Sequence, residues 1–333
     1  MKELKIFGVV AFFTLLLYWG VEPFAHSQMH KHVEGHGFVY NGTVDIAEAE
    51  QSIAKWKANE NANKVKSAEA TLATKKTFWA DVANISKLKG DAAAGEGGFA
   101  MCAGCHMDGA VNMGGVIPPA LDHAGAIYDK NYLIALIKNP AMASNVDHKY
   151  ADTMMHPMGS VSSMFPDGQQ IADVVAYIMA KKAGEVTTKE AFSEACGRCH
   201  AMRYAKTSQL GDIPKFKYLK DELAHNIKIL EEQDMVKAYM GKLPPDLSII
   251  NRARSHHFLE TFIENPQSQL AGTSMPRVGL SQDGYDKVDA YMSEIGDPSK
   301  PAREAIGPWV ILFFVIFTIL AYFWKKEKWR DLH

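Results

Sequence analysis

Apolar residues gather at the two ends of the chain and recur at helical spacing between them. Behind Lys2 and Lys5, the run from Ile6 to Gly20 carries no charge, and the apolar stretch reaches Val21. It is slightly short of the ~20 residues that cross ~30 Å of hydrocarbon, and a basic start before an uncharged run reads as a retained anchor or a cleaved signal. No clean small-x-small site follows before Glu22-Pro23-Phe24, which favours an anchor over residues 1–24. The second run, Ile306 to Trp324, is uncharged and is followed at once by Lys325, Lys326, Lys328 and Arg330. This predicts a transmembrane helix over 306–324 whose basic end faces the cytoplasm. Lys2 and Lys5 put the other end on the same side, so residues 25–300 are expected outside the cytoplasm, in a bacterial periplasm. Tyr322, Phe323, Trp324 and Trp329 fit an interfacial aromatic belt.

Between the anchors the pattern repeats. Pro118-Pro119-Ala120-Leu121 is answered by Pro244-Pro245-Asp246-Leu247, and Tyr132 to Asn139-Pro140 by Phe258 to Asn265-Pro266. Both pairs stand 126 residues apart (118 to 244, 140 to 266). Two blocks in one register indicate a duplicated unit. Each half closes on a helix-period segment, Ile171 to Ile178 and Tyr285 to Met292. Ahead of the repeat, Asp45 to Lys89 is rich in Ala, Lys and Glu, with Ile46, Ile53, Trp56 and Val65 at loosely helical spacing. One or two long surface helices are expected there, serving as a spacer or as an arm clasping a neighbouring subunit. Ala94 to Gly98 reads as a Gly-rich hinge. The organisation expected is an extension at 25–90, a first unit at 91–184, a second at 185–300 and the C-terminal helix.

Composition narrows the function classes. The chain has 36 basic and 38 acidic side chains among 333 residues, without the basic excess a nucleic-acid binder needs. With 47% hydrophobic and 22% charged residues it is not a disordered chain. All four cysteines fall in Cys102-Ala-Gly-Cys105-His106 and Cys196-Gly-Arg-Cys199-His200. Cys-x-x-Cys-His is the attachment signature of c-type haem: two thiols add to the vinyl groups and the adjacent imidazole ligates iron. A zinc site or an exported disulfide would not require a histidine after the second cysteine both times. Two covalently bound haem c groups are therefore expected. His26, His30, His32 and His36 form a His-rich tract that is either solvated or metal-binding.

A haem iron held from both sides needs a second axial ligand. Met275 lies 16 residues before Tyr291 and Met158 lies 19 before Tyr177, a pattern that resembles class I cytochromes c, where a Met in the loop before the last helix is the sixth ligand. The resemblance implies an all-α chain of two tandem class I cytochrome c domains with N- and C-terminal transmembrane helices. Iron ligands would be His106 with Met158, and His200 with Met275. Met154, Met155, Met164 and His156 remain alternatives to Met158. In that family a proline carbonyl orients the proximal histidine, and the two Pro-Pro pairs are the candidates.

The second half, about 190 to 333, further resembles cytochrome c1 of the cytochrome bc1 complex. The resemblance rests on Cys196 to Tyr204, then Leu243-Pro-Pro-Asp-Leu-Ser to Arg254, then the Met275 loop and a single membrane helix. It implies that Arg254, or its neighbour Arg252, reaches a haem propionate. It also implies electron transfer from a Rieske iron–sulfur protein, beside cytochrome b, through both haems to a downstream oxidase or cytochrome c, with no bond chemistry of the chain's own. A first cytochrome c unit ahead of the cytochrome c1-like one makes it similar to the di-haem cytochrome c1 of some bacterial complexes. The competing readings are a di-haem subunit of a haem–copper (cbb3-type) oxidase, a di-haem peroxidase and a haem-based sensor.

Overall fold

A computed structural model describes residues 2–30, 34–106, 115–150, 152–181 and 186–330. The fold is mostly helical. Its longer helices are α1 (Lys2–Leu16), α2 (Glu22–His30), α3 (Thr43–Ala58), α4 (Ala62–Ser86), α5 (Ala92–Ala103), α6 (Lys130–Lys138), α7 (Gly168–Ala180), α8 (Thr188–Ala195), α9 (Leu219–Met240), α10 (His256–Glu264), α11 (Gln282–Gly296) and α12 (Lys300–Lys328). A two-residue hairpin pairs Thr207–Ser208 with Gly211–Asp212. The helix-period segments foreseen near 171 and 285 are α7 and α11, and the repeated blocks before the Asn-Pro pairs are α6 and α10. Side-chain caps start several of them. Asp167 and Thr187 form capping boxes at α7 and α8, and Asp91 and Ser281 cap α5 and α11, each worth about 1 kcal/mol.

At the ends, Lys2–Ala25 and Lys300–Lys328 are long and apolar enough to cross a membrane, and their apolar windows bury nothing against the rest of the chain. A π-helical turn at Leu17–Val21 joins α1 to α2.

The helix leading into each cysteine motif packs on a later helix, α5 on α7 and α8 on α11. The hinge expected at Ala94 to Gly98 is instead part of α5. Its glycines are there for proximity. A Cβ on Gly95 would lie 2.0 Å from the Asp173 carbonyl oxygen, and one on Gly98 would lie 2.5 Å from Val174 Cγ2. Glycine costs a helix interior roughly 1 kcal/mol relative to alanine, and here that cost admits the close crossing with α7.

The extension also departs from the expectation of surface helices. Helices α3 and α4 form a hairpin whose early part is exposed, but Phe78, Trp79, Val82 and Ile85 enter the core against α6 and α7. The extension clasps its own chain. Backbone N–H groups of His36 and Phe38 donate to the two carboxylate oxygens of Glu264, each at 2.8 Å, and Phe38 stacks on Tyr285 at 4.7 Å. In the His-rich tract the side chains of His26 and His30, and all of His32, lie outside the described residues.

Asp45 is the centre of this clasp. Buried in α3, it accepts from Trp79 Nε1 at 2.8 Å and from Arg277 Nη1 and Nη2, at 3.1 and 2.5 Å. Burial alone would raise its pKa, but the Arg277 charge and hydrogen bonds outweigh that and hold it below the usual carboxylate range. A depressed carboxylate contributes stability above its unfolded pKa, about 4, and loses it as pH falls through the folded value. Acidification below about pH 4 is therefore expected to release α3 from Trp79. The check is Trp79 fluorescence followed through an acid titration, with the Asp45→Asn variant lacking the transition.

The two halves share one continuous core. Asp129 N–H donates to the Gly279 carbonyl at 2.9 Å, Ser281 N–H to that of Ile127 at 2.8 Å, and Arg277 N–H to that of Ser144 at 2.8 Å. Gly279, at φ +77°, lies against the Tyr132 ring where any side chain would collide. The boundary expected at 184/185 lies outside the described residues.

Candidate functional site

Each cysteine motif is one closed turn at the end of a helix, and the two turns match. The Cys102 carbonyl accepts from Cys105 N–H at 3.1 Å and His106 N–H at 2.9 Å. The Cys196 carbonyl accepts from Cys199 N–H and His200 N–H at the same two distances. None of the four cysteines forms a disulfide, and among the described residues no group of three or more His, Cys, Asp or Glu is placed to hold a metal ion. Burial pushes the Cys196 thiol up to about 12 and Cys199 to about 11, and raises Cys102. In the second motif, thiols held neutral in this way do not suit a dithiol redox pair, which needs a thiolate.

The histidines are oriented identically. His106 Nδ1 donates to the Pro119 carbonyl and His200 Nδ1 to the Pro245 carbonyl, both at 2.8 Å. A carbonyl only accepts, so the proton sits on Nδ1 and the Nε2 lone pair is free for iron. Burial lowers both imidazole pKa values, favouring the neutral form that ligates metal. The prolines are the second members of the two Pro-Pro pairs.

In the second half α9 fills the longer stretch between His200 and that proline. The Pro-Pro-Asp-Leu-Ser run then returns to brace the motif. Leu247 N–H donates to the Ala201 carbonyl at 3.0 Å, Asp246 accepts from Arg203 N–H at 3.0 Å, and Ser248 Oγ accepts from Tyr204 N–H at 3.1 Å.

Of the candidate sixth ligands, Met275 is half-buried, its N–H donating to Thr273 Oγ1 at 3.2 Å, two residues from the anchored Arg277. In the first half Met158 is half-buried, whereas Met154, Met155 and Met164 are 55%, 67% and 46% exposed. His156 Nδ1 accepts from Met158 N–H at 3.0 Å. Its proton therefore sits on Nε2, and its Nδ1 lone pair is taken by that bond. Met158 is thus the half-buried one of the four methionines. Arg252 is held by Asp297 at 3.6 Å, whereas Arg254 is exposed with its guanidinium 5.2 Å over the Phe258 ring.

Two cations were not foreseen from sequence. Lys149 Nζ lies 3.6 Å over the Tyr239 ring of α9, and it and Arg198 Nε are buried without a hydrogen-bond partner among the described residues. Both act electrostatically on Cys199. Buried cationic donors without acceptors fit an anionic group such as a haem propionate. No sequence pattern marks Lys149; Arg198 stood inside the motif as one of its variable residues.

Comparison with known proteins agrees with this chemistry. Residues 92–182 match the cytochrome c family. The chain is 26% identical over 188 residues to the ammonia monooxygenase gamma subunit of Nitrosomonas europaea, across 43% of this chain and 80% of that protein. It is 25% identical over 206 residues to cytochrome c1 of Allochromatium vinosum, across 43% of this chain and 82% of that one. No solved structure matches it. Residues 92–182 therefore form a cytochrome c domain, which implies covalently bound haem c, in a chain distantly homologous to cytochrome c1.

Proposed function

We propose that the chain is a membrane-anchored di-haem c-type cytochrome, the cytochrome c1 subunit of a bc1 complex, built from two tandem cytochrome c domains. The observation that carries this reading is the identity of the two motifs: the same turn closure, and each histidine donating to the second proline of an in-register pair. Cys102, Cys105, His106 and Met158 would hold one haem, and Cys196, Cys199, His200 and Met275 the other, with Arg254 toward a propionate of the second. When bound, the haems supply one-electron transfer between a Rieske protein and an oxidase or cytochrome c. The chain's own residues fix the tautomer of each histidine and hold the methionine loops.

Two features support the membrane arrangement. The Lys325 ammonium near the end of α12 pairs with the Glu3 carboxylate at the start of α1. The two helices then run antiparallel with both chain ends on one face, the cytoplasmic one by the basic tail, and the cysteine motifs on the periplasmic face. At the opposite end Asp297 ties the haem-bearing body to α12 through two 2.7 Å bonds from Arg303, which hold the Asp297 pKa down at about 2.

Replacing Met275 by alanine is expected to lower the potential of the second haem and slow its reduction while sparing the first; an unchanged titration of both would contradict the ligand assignment. The functional reading is tested by mild solubilisation and identification of what co-purifies. Cytochrome b and a Rieske protein are expected, whereas haem–copper oxidase subunits would reverse the assignment.

A further inference from the structure

Arg198 belongs to the second cysteine motif, yet its hydrogen bonds lie in the first half. Nη1 donates to the Ile117 carbonyl at 2.9 Å and to the Pro118 carbonyl. The next carbonyl in the chain, Pro119, accepts from His106. Pro118 and Pro119 have no N–H and cannot enter a helix ladder, so carbonyls 117 to 119 must find donors elsewhere. Arg198 fills two of them and the histidine fills the third.

The grip is reinforced a few residues away. Glu194, near the end of α8 and ahead of the second motif, accepts from His123 Nδ1 at 2.6 Å, and Tyr128 Oη donates to the Glu194 carbonyl at 3.4 Å. The loop that sets the His106 orientation is thus held at both ends by the helix-and-turn unit of the other half. Among the described residues there is no reciprocal contact of this kind, because the residue of the first motif that corresponds to Arg198 is Gly104.

We propose that Arg198 is a positioning residue for the first haem, supplied by the second motif: it fixes the Pro119 carbonyl on His106 and places a buried positive charge beside that site. This rests on reading the motifs as haem sites. A fixed acceptor on Nδ1 holds the imidazole plane and tunes its donor strength. A buried cation stabilises the more negative, reduced iron and raises its potential, with little solvent screening. The second proline loop is braced by its own neighbours, Ala201 and Arg203, so loss of the carbonyl grip is confined to the first haem, while the charge also reaches Cys199 of the second motif.

The test uses the purified full-length holoprotein in detergent, as wild type, Arg198→Met and Arg198→Lys. Each is followed by spectroelectrochemical titration and by electron paramagnetic resonance of the oxidised irons. Signals are assigned by what remains when Cys196 and Cys199 are replaced by alanine. In Arg198→Met the first haem's midpoint is expected to fall and its resonance to broaden, with the second haem's resonance unmoved. Arg198→Lys keeps the charge but not the two-carbonyl grip, so it retains most of the midpoint while broadening the resonance, and it carries the test if the methionine variant does not fold. An unchanged midpoint at the first haem, or equal broadening of both resonances, would overturn the proposal. Haem content of the same samples separates the two failures: one haem per wild-type chain, at the first motif, removes the di-haem reading while the Arg198 effect is still read on the haem that remains. Absence of haem at the first motif overturns both.

Discussion

Replacing Arg277 by alanine is expected to destabilise the protein by about 3–5 kcal/mol, the cost of stranding one member of a buried ion pair. Arg277 is 4% exposed and Asp45 2%. Without the guanidinium, the Asp45 carboxylate keeps only the Trp79 Nε1 bond within a closed core. The damage reaches the candidate site, because Arg277 is two residues from Met275 and its main chain is pinned at both ends. Its N–H goes to the Ser144 carbonyl at 2.8 Å, and its own carbonyl accepts from Tyr132 Oη at 2.7 Å. Thermal denaturation gives the stability loss, and the visible spectrum reads the proposed Met275–iron bond, which is expected to weaken in the same variant. An apolar pair, Asp45→Leu with Arg277→Met, should recover much of the stability, since two well-packed apolar side chains often replace a buried ion pair at no net cost. A loss under about 1 kcal/mol for Arg277→Ala would mean that the clasp does not secure the loop.

The second large effect separates two glycines on one helix. Gly95→Ala drives a methyl to 2.0 Å from the Asp173 carbonyl oxygen, a backbone atom that cannot swing away, whereas Gly97 faces open space. Overpacking at such a contact costs roughly 1–3 kcal/mol and can cost more where backbone must shift. Gly97→Ala should stabilise α5 by up to about 1 kcal/mol, since alanine is the better helix former. Because α5 ends in Cys102, Gly95→Ala is also expected to reduce haem attachment at the first motif while the second stays loaded. Denaturation curves and haem-stained gels read both effects. Equal behaviour of the two variants would restore the hinge reading of this segment.

The residues whose chemistry is local were legible in the sequence. A Cys-x-x-Cys-His spacing needs only one turn to close, so both histidines follow from counting, while the resemblance to class I cytochromes c pointed to the two in-register Pro-Pro pairs for their carbonyl partners. Helix-period segments with a clean apolar stripe were legible for the same reason. What escaped depends on long-range partners. Asp45 reads as an exposed helix-start acid until Arg277, 232 positions away, is brought onto it. The buried end of α4 is diluted in composition by a polar first half. The glycines of α5 look like a flexible run because sequence does not disclose a crossing helix. Arg198 is hidden most completely, since its partners, the carbonyls of Ile117 and Pro118, have no sequence signature.

The central claim is that each half carries its own covalent haem. The direct measurement is the intact mass of the purified chain under denaturing conditions, beside chains in which Cys102 and Cys105, or Cys196 and Cys199, are replaced by alanine. Two haem masses on the wild-type polypeptide and one on each variant are predicted. A single haem on the wild type, lost completely in one variant and untouched in the other, would contradict it.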